Sequence, residues 1–528
     1  MFSSARTICL GLCVATTTLA FPTWPDKTDE LEQTMFVASG YGRRGFLDDI
    51  PTCGFSHEGP EGLGRINSAE WIRNGFHDMS TADVIAGTGG LDGSIMFETE
   101  RLENDGPAFN HTLGFLGAFY GSETSISDLI ALAVWAAVRQ CGGPLLTMRA
   151  GRVDATEAGP YGVPEPQENI TSLTDKFARQ GFNSEEMIAL IACGHTLGGV
   201  HGAQFPTIVP DAGTAGNNFS TFDSTTRFDN MIATEYIAGT TTNPLVVGAD
   251  PALNSDARVF SLDGNATMQS LTDPAVFADT CARLLTRMID TVPAGVVLSE
   301  PLEAYDVKPG LLNLELSEDG RNVTFTGNIR VKTTSRPRTD ITSVSLLYTA
   351  LDGTTGTILT RQATFQGGSA TGLTDDFQHY EIFADLPASS SISSFTVSIA
   401  LTNGTVETYD NNGVGYPVSS TIMLSNSRSC LRTDLPYKAT IVAAVRGTFA
   451  PEDVKIVYTV PVPRQGSIIP SLVTKNATMA LNSTLGDFGI YSVDVPLLVD
   501  QLNEITFDLY AGENKDYYRN AANFQSCS

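Results

Sequence analysis

Apolar residues recur at helical spacing through the first half of the chain and alternate with polar ones through much of the second. In the first half the pattern predicts helices over 68–79, 112–120, 127–139, 170–180, 184–192, 228–237 and 274–291. The stretch from Ser127 to Arg139 is apolar almost all round and runs into Cys141-Gly142-Gly143-Pro144, which predicts a capped, buried helix with a sharp stop. In the segment from Ser184, residues Met187, Ile188, Leu190 and Ile191 make an apolar face. Ser184 stands at the expected N-cap, with Glu185 and Glu186 in the first turn. Residues 21–65 carry glycines and prolines with few periodic apolar positions and read as a loop-rich lead-in.

After Pro293 the texture changes, and Thr, Ser, Val, Gly and Asn become frequent. Residues 294–308 read as a linker. Beyond it the sequence repeats itself: Val344–Thr349 matches Val454–Thr459, Asp376-Phe377-x-x-Tyr380 matches Asp487-Phe488-x-x-Tyr491, and Phe395–Ile399 matches Ile505–Leu509. Three matches in the same order at nearly one offset predict two tandem antiparallel β-sandwich modules, 309–425 and 426–528.

A chain of 528 residues requires more than one domain, and 42% apolar with 17% charged residues is a well-cored, globular composition. The net charge of -27 argues against nucleic acid or an anionic membrane as partner, because phosphate recognition needs a basic face. Residues 1–20 have the form of a secretory signal: Arg6, an apolar run from Ile8 to Ala15, and Thr18-Leu19-Ala20 before the cut. The chain is therefore expected to be secreted and extracellular. Sequons at Asn169, Asn218, Asn265, Asn322, Asn403, Asn476 and Asn482 agree with a glycoprotein. Loss of the leader removes Cys9 and Cys13. The six remaining cysteines allow fifteen pairings, among which proximity by domain favours Cys53–Cys141, Cys193–Cys281 and Cys430–Cys527.

The candidate chemistry lies in two short stretches. One apolar helix runs directly into Gly194-His195-Thr196-Leu197-Gly198, a histidine flanked by glycines. Taken alone this is the setting of a satisfied core histidine or of an axial metal ligand. In SAEWIRNGFHDM, Arg73 and His77 are four apart and share one helical face, costly to bury without a task. Together R-x-x-F-H-D and G-H-T-L-G resemble the two haem-facing helices of the plant, fungal and bacterial haem peroxidase superfamily. That resemblance covers roughly residues 30–292 and implies a mainly α haem-peroxidase domain over 21–293, ahead of the β modules. It implies haem b with His195 as proximal iron ligand, Asp256 (in Asn254-Ser255-Asp256) accepting from its other ring nitrogen, and Phe76 in the cofactor pocket. His77 would be the general base toward peroxide and Arg73 the stabiliser of developing negative charge. Asn110, in Ala108-Phe109-Asn110-His111, is matched to the asparagine that orients the distal histidine. The glutamate that supports this asparagine in the family would fall at Asn104, so that buttress is missing from the match.

Two calcium sites also carry over from the resemblance. Asp78 with Gly90, Asp92 and Ser94 matches the distal site, and Thr196 with Asp223, Thr225 and Asp229 the proximal one, both sets being hard oxygen donors. The tryptophans that mark some relatives are absent from their positions, here Leu190 and the neighbourhood of Asp211. His201 echoes the intracellular members, whereas the leader and sequons resemble the secreted ones. The expected function is a secreted peroxidase that reduces hydrogen peroxide and oxidises small phenolic or aromatic donors through ferryl haem. The alternative is a degenerate peroxidase whose β modules bind polysaccharide or a cell-wall partner. A mononuclear hydrolase built on His77, Asp78 and His195 is disfavoured, since Arg73 would repel its cation.

Overall fold

The computed structural model describes residues 22–50, 53–55, 65–210, 218–502, 505–521 and 524–527; the expected leader and Asp211 lie outside them. The α-helices are α1 Asp29–Phe36, α2 Asn67–Met79, α3 Ala108–Leu116, α4 Ile126–Gln140, α5 Ile170–Arg179, α6 Ser184–Gly194, α7 Met231–Ala238, α8 Pro244–Val247, α9 Ser255–Phe260, α10 Ala266–Ser270 and α11 Pro274–Asp290. Helix α4 is the hub, with every residue from Ile126 to Val138 buried. Helix α2 lies against it at Gly75, where a Cβ would collide with Val134 Cγ2.

Both predicted caps shift toward the N-terminus. Ser125 Oγ, not Ser127, accepts the Asp128 amide at 3.0 Å. Asn183, not Ser184, caps α6 in a capping box with Glu186. The expected loop at 21–65 contains α1. Asp29, Glu30 and Glu32 stand in its first turn, favourable for the helix dipole, and Leu31, Met35 and Phe36 enter the core. The disulfides are Cys53–Cys141, Cys193–Cys281 and Cys430–Cys527, as proximity favoured, and the second ties α6 to α11.

From Val307 onward the chain is β-rich, built from several antiparallel sheets. In the first unit Asp376–Pro387 pairs with Asn322–Lys332, which pairs with Val307–Leu316. A second sheet places Ile341–Thr349 between Ser394–Leu401 and Thr355–Leu359. Val323, Phe325, Val344, Leu346, Phe395 and Val397 share one core. The second unit repeats the scheme: Phe488–Pro496 pairs with Lys438–Arg446, and Val454–Val462 lies between Thr506–Ala511 and Ser471–Thr478. Each pair of matching sequence segments thus occupies corresponding strands.

The two units and the helical region are not beads on a string. In Lys438–Arg446, Ile441, Ala443 and Val445 enter the second unit's core while Val442 and Ala444 enter the first's. Alternating side chains put successive residues on opposite faces, so the unbroken run IVAAV marks a strand covered on both sides. Ala370, Phe377 and Ile469 join the core of the helical region. Residues 302–308, expected within a linker, are packed instead: Ala304 is in the helical core, and Lys308 Nζ donates to Glu32 Oε2 at 2.7 Å. Arg330 pairs with the same buried carboxylate. Even the lead-in joins the β region, with Ser39–Gly40 pairing to Ser369–Thr371.

Candidate active site

A cavity of about 1750 Å³ opens between α2, α3, α6 and α9, and Arg73, Phe76, His77, Asn110, His195 and Asp256 all border it. Sequence-distant motifs therefore converge on one space. Its lining is mostly apolar, with Ile72, Leu173, Phe177, Leu190, Val259 and Leu285 among the wall residues.

On the α2 side, His77 Nδ1 lies 2.7 Å from Asn104 Oδ1. The Asn104 amide nitrogen donates to the Glu98 carbonyl at 3.0 Å, which fixes its oxygen toward the histidine. His77 consequently carries its proton on Nδ1 and turns a bare Nε2 outward. Burial, then the positive Arg73, hold its pKa down to about 3, against the opposing pull of Asn104. Arg73 Nε is 3.4 Å from that Nε2, Arg73 Nη2 donates to the Asp105 carbonyl at 3.2 Å, and the guanidinium covers the Phe109 ring at 4.6 Å. Desolvation brings the Arg73 pKa down to about 10, leaving it a permanent cation at neutral pH.

Asn110 does not hold His77. It is half-buried on α3 with its Oδ1 unpartnered, and Asn104 takes the orienting role instead. The match to Asn110 fell six residues too far along the chain. Glu98 and Asn104 carry the spacing expected of the glutamate and asparagine, although here the glutamate contributes its backbone carbonyl. Phe76 sits 6.2 Å from the His77 ring and 5.8 Å from Phe177, at the cavity wall.

On the opposite side, His195 follows α6 directly, and its Nδ1 donates to Asp256 Oδ2 at 2.9 Å. That bond leaves Nε2 as the free acceptor. Two groups that sequence reasoning missed complete this side. Phe222 stacks on the imidazole with ring centroids 4.2 Å apart and planes 11° from parallel, and Asn243 Nδ2 donates to the same Asp256 Oδ2 at 2.7 Å. Both arrive from loops or short elements with no local periodicity to announce them. His201 borders the cavity beside Phe219, at 4.6 Å.

The glycines around His195 have different tasks. Gly198, at φ +87°, faces Ala69 so closely that a Cβ would sit 2.6 Å from the alanine's own. Gly194 and, across the cavity, Gly114 border open space, with no atom within 4 Å of a built Cβ. A cavity of this volume margined by glycine, an uncommitted His195 Nε2 on one side, the Arg73–His77 pair on the other and a mostly apolar wall fit a haem with His195 as its ligand.

The expected calcium ligands gather in two oxygen-rich pockets. Asp78 accepts the amides of Gly93 at 2.8 Å and Ile95 at 2.9 Å, and burial with Asp92 nearby pushes its pKa upward. Asp92 Oδ1 accepts the Ser94 amide at 3.1 Å, and Gly90 holds φ +112° against Thr291. In the other, Thr196 Oγ1 donates to the Asp229 carbonyl at 2.6 Å, Thr225 Oγ1 lies 3.3 Å from Asp229 Oδ1, and buried Asp223 Oδ2 has no partner. Burial, with Asp229 and Glu235 adding to it, raises the Asp223 pKa to about 7. Among the described residues no three His, Cys, Asp or Glu side chains form a metal group. Asp78 does not line the cavity that His77 and His195 share, which removes the His77–Asp78–His195 hydrolase.

Residues 62–270 match the family described as Peroxidase. That part of the chain is a peroxidase-family domain. It is 39% identical over 516 residues to a "WSC domain-containing protein" of Arthroderma benhamiae, covering 96% of this chain and 68% of that protein. It is 30% identical over 189 residues to L-ascorbate peroxidase 5, peroxisomal, of Arabidopsis thaliana, and 34% identical over 137 residues to the mitochondrial cytochrome c peroxidase of Candida albicans. The alignments cover 35% and 25% of this chain and 64% and 37% of those relatives, less than two thirds of either. Both peroxidase relatives therefore align with a part of this chain, whereas the first match extends through the β region.

Proposed function

We propose that the protein is a secreted haem peroxidase that reduces hydrogen peroxide and oxidises small phenolic or other aromatic donors. The observation that carries this reading is the neutral His77 Nε2 beside Arg73, sharing one apolar cavity with the free Nε2 of His195.

His195 Nε2 would ligate haem b, with the Asp256 bond to Nδ1 fixing the tautomer and strengthening the imidazole as a donor. Haem, when bound, supplies the site of two-electron peroxide reduction. The chain's residues manage protons and charge around it. His77 Nε2 removes a proton from one peroxide oxygen and returns it to the other as the O–O bond breaks and water leaves. Arg73 stabilises the negative charge that builds on the departing oxygen. The wall residues Ile72, Leu173 and Phe177 keep the space apolar, so these charges act in a low dielectric. Two donor molecules then each give one electron.

The oxygen-rich clusters would hold calcium, distally through Asp78, Gly90, Asp92 and Ser94, and proximally through Thr196, Asp223, Thr225 and Asp229. The unpartnered Asp223 oxygen and the paired buried acids favour a cation there. The β units are taken as two tandem sandwiches. Cavity-lining residues fall between Asp49 and Met288, and Phe365 and Phe383 stand 63% and 62% exposed on the first β unit. This favours a second role for that region, contact with polysaccharide.

The test is a spectrum of purified protein loaded with haem. A Soret band that changes on adding peroxide, and coloured product with a phenol, are expected. A haem-loaded protein indifferent to peroxide but retained on insoluble polysaccharide would replace the enzyme by the binding protein.

A further inference from the structure

We propose that Asn243 is a positioning and tuning residue for the proximal histidine, weakening the grip of Asp256 on His195. This inference rests on the haem reading of the same site. Asp256 is 1% exposed and Asn243 fully buried, so the bond between them is shielded from bulk water. The orientation of the amide is set by its other end: Asn243 Oδ1 accepts the Leu245 amide at 2.8 Å, capping α8, which leaves Nδ2 to face the carboxylate. Nδ2 then donates at 2.7 Å to the same Oδ2 that receives His195 Nδ1–H at 2.9 Å.

Two donors on one oxygen divide its negative charge. Asp256 thus pulls less on the imidazole proton than a carboxylate with one donor would, and His195 keeps less imidazolate character. The stacked ring beside His195 is Phe222, which has no hydrogen-bond donor, so Asn243 supplies the second N–H. A less anionic axial imidazole favours the lower iron oxidation state. Asn243 is therefore expected to hold the ferric/ferrous potential above the value His195 and Asp256 would set alone.

The experiment uses the full chain loaded with haem. Asn243→Ser keeps a capping oxygen for the Leu245 amide but is too short to reach Asp256, and Asn243→Leu fills the space without a donor. Haem binding, read from the Soret band, is established first, and its loss in the unsubstituted protein would sink the haem reading itself. In haem-loaded variants the midpoint potential should fall, with a tenfold shift of the one-electron equilibrium corresponding to ~59 mV. The ferrous iron–histidine stretching band should move to higher frequency. A potential that is unchanged or higher in the haem-loaded variants overturns the assignment. Should Asn243→Leu fail to fold, Asn243→Ser alone decides.

Discussion

At the level of single side chains, the distal machinery depends on which asparagine holds His77. Asn104→Ala removes the acceptor at 2.7 Å and should slow the reaction with peroxide by up to ~10²–10⁴-fold, the range of general acid–base catalysis that an oriented His77 supplies. Asn110→Ala should cost much less, and stopped-flow rates of the two variants discriminate between them. The His77 pKa of about 3 also fixes a pH profile. A depressed histidine stays neutral as pH falls through its unfolded value of ~6.5, so the acid limb of the peroxide reaction should lie near pH 3. The same shift lowers stability as pH drops through that window, because the unfolded chain takes up the proton first. Arg73, His77, His195 and Asp256 could be placed from sequence because each sits in a short motif on or beside a regular helix. Asn104 lies in a 3-10 turn and Phe222 and Asn243 in irregular segments, where only the folded chain brings them to the imidazoles.

Among the elements, α2 and α6 set the geometry, α6 tied to α11 by Cys193–Cys281 and α2 seated on α4 through Gly75. Gly75→Ala would drive a methyl into Val134 on α4, and Arg73 and His77 ride on the same helix. A loss of about 1–3 kcal/mol, typical of overpacking, is expected in denaturant titrations, together with slower reaction with peroxide. Most helix types could be read from periodicity, whereas their ends could not. Ser and Asn both make good caps, and two candidates one or two residues apart carry nearly equal local preference. Helix α1 escaped because its polar residues outnumber its apolar ones; Leu31, Met35 and Phe36 earn its stability through tertiary burial.

For the whole molecule, the boundary between α and β regions is the least separable part. Glu32 on α1 is buried between Arg330 and Lys308 of the β region, and these two cations outweigh burial to hold its pKa below the usual glutamate range. A carboxylate depressed in this way stabilises above its unfolded pKa of ~4.3 and loses that contribution as pH falls below it. Glu32→Gln should cost about 3–5 kcal/mol, since it leaves two cations without their buried counter-charge, and thermal unfolding at neutral pH measures it. Removing residues 305–528 should not release a clean enzyme. It would expose the core that Ala370, Phe377 and Ile469 cover, and aggregation by light scattering is the expected outcome. Alternation and the internal repeat made the β region readable, but a linker was inferred at 294–308 because the stretch follows neither period and its residues pack only against distant partners.

The strand from Lys438 to Arg446, enclosed on both sides, constrains what the C-terminal portion can recognise. Its sheet has no broad wall left for a guest along that stretch. A wall polymer or other visitor must read loops, rims or the outward side of the partner sheet through Val454–Val462. Surface libraries aimed at altered adhesion therefore belong there, while changes to the hidden strand would register as misfolding.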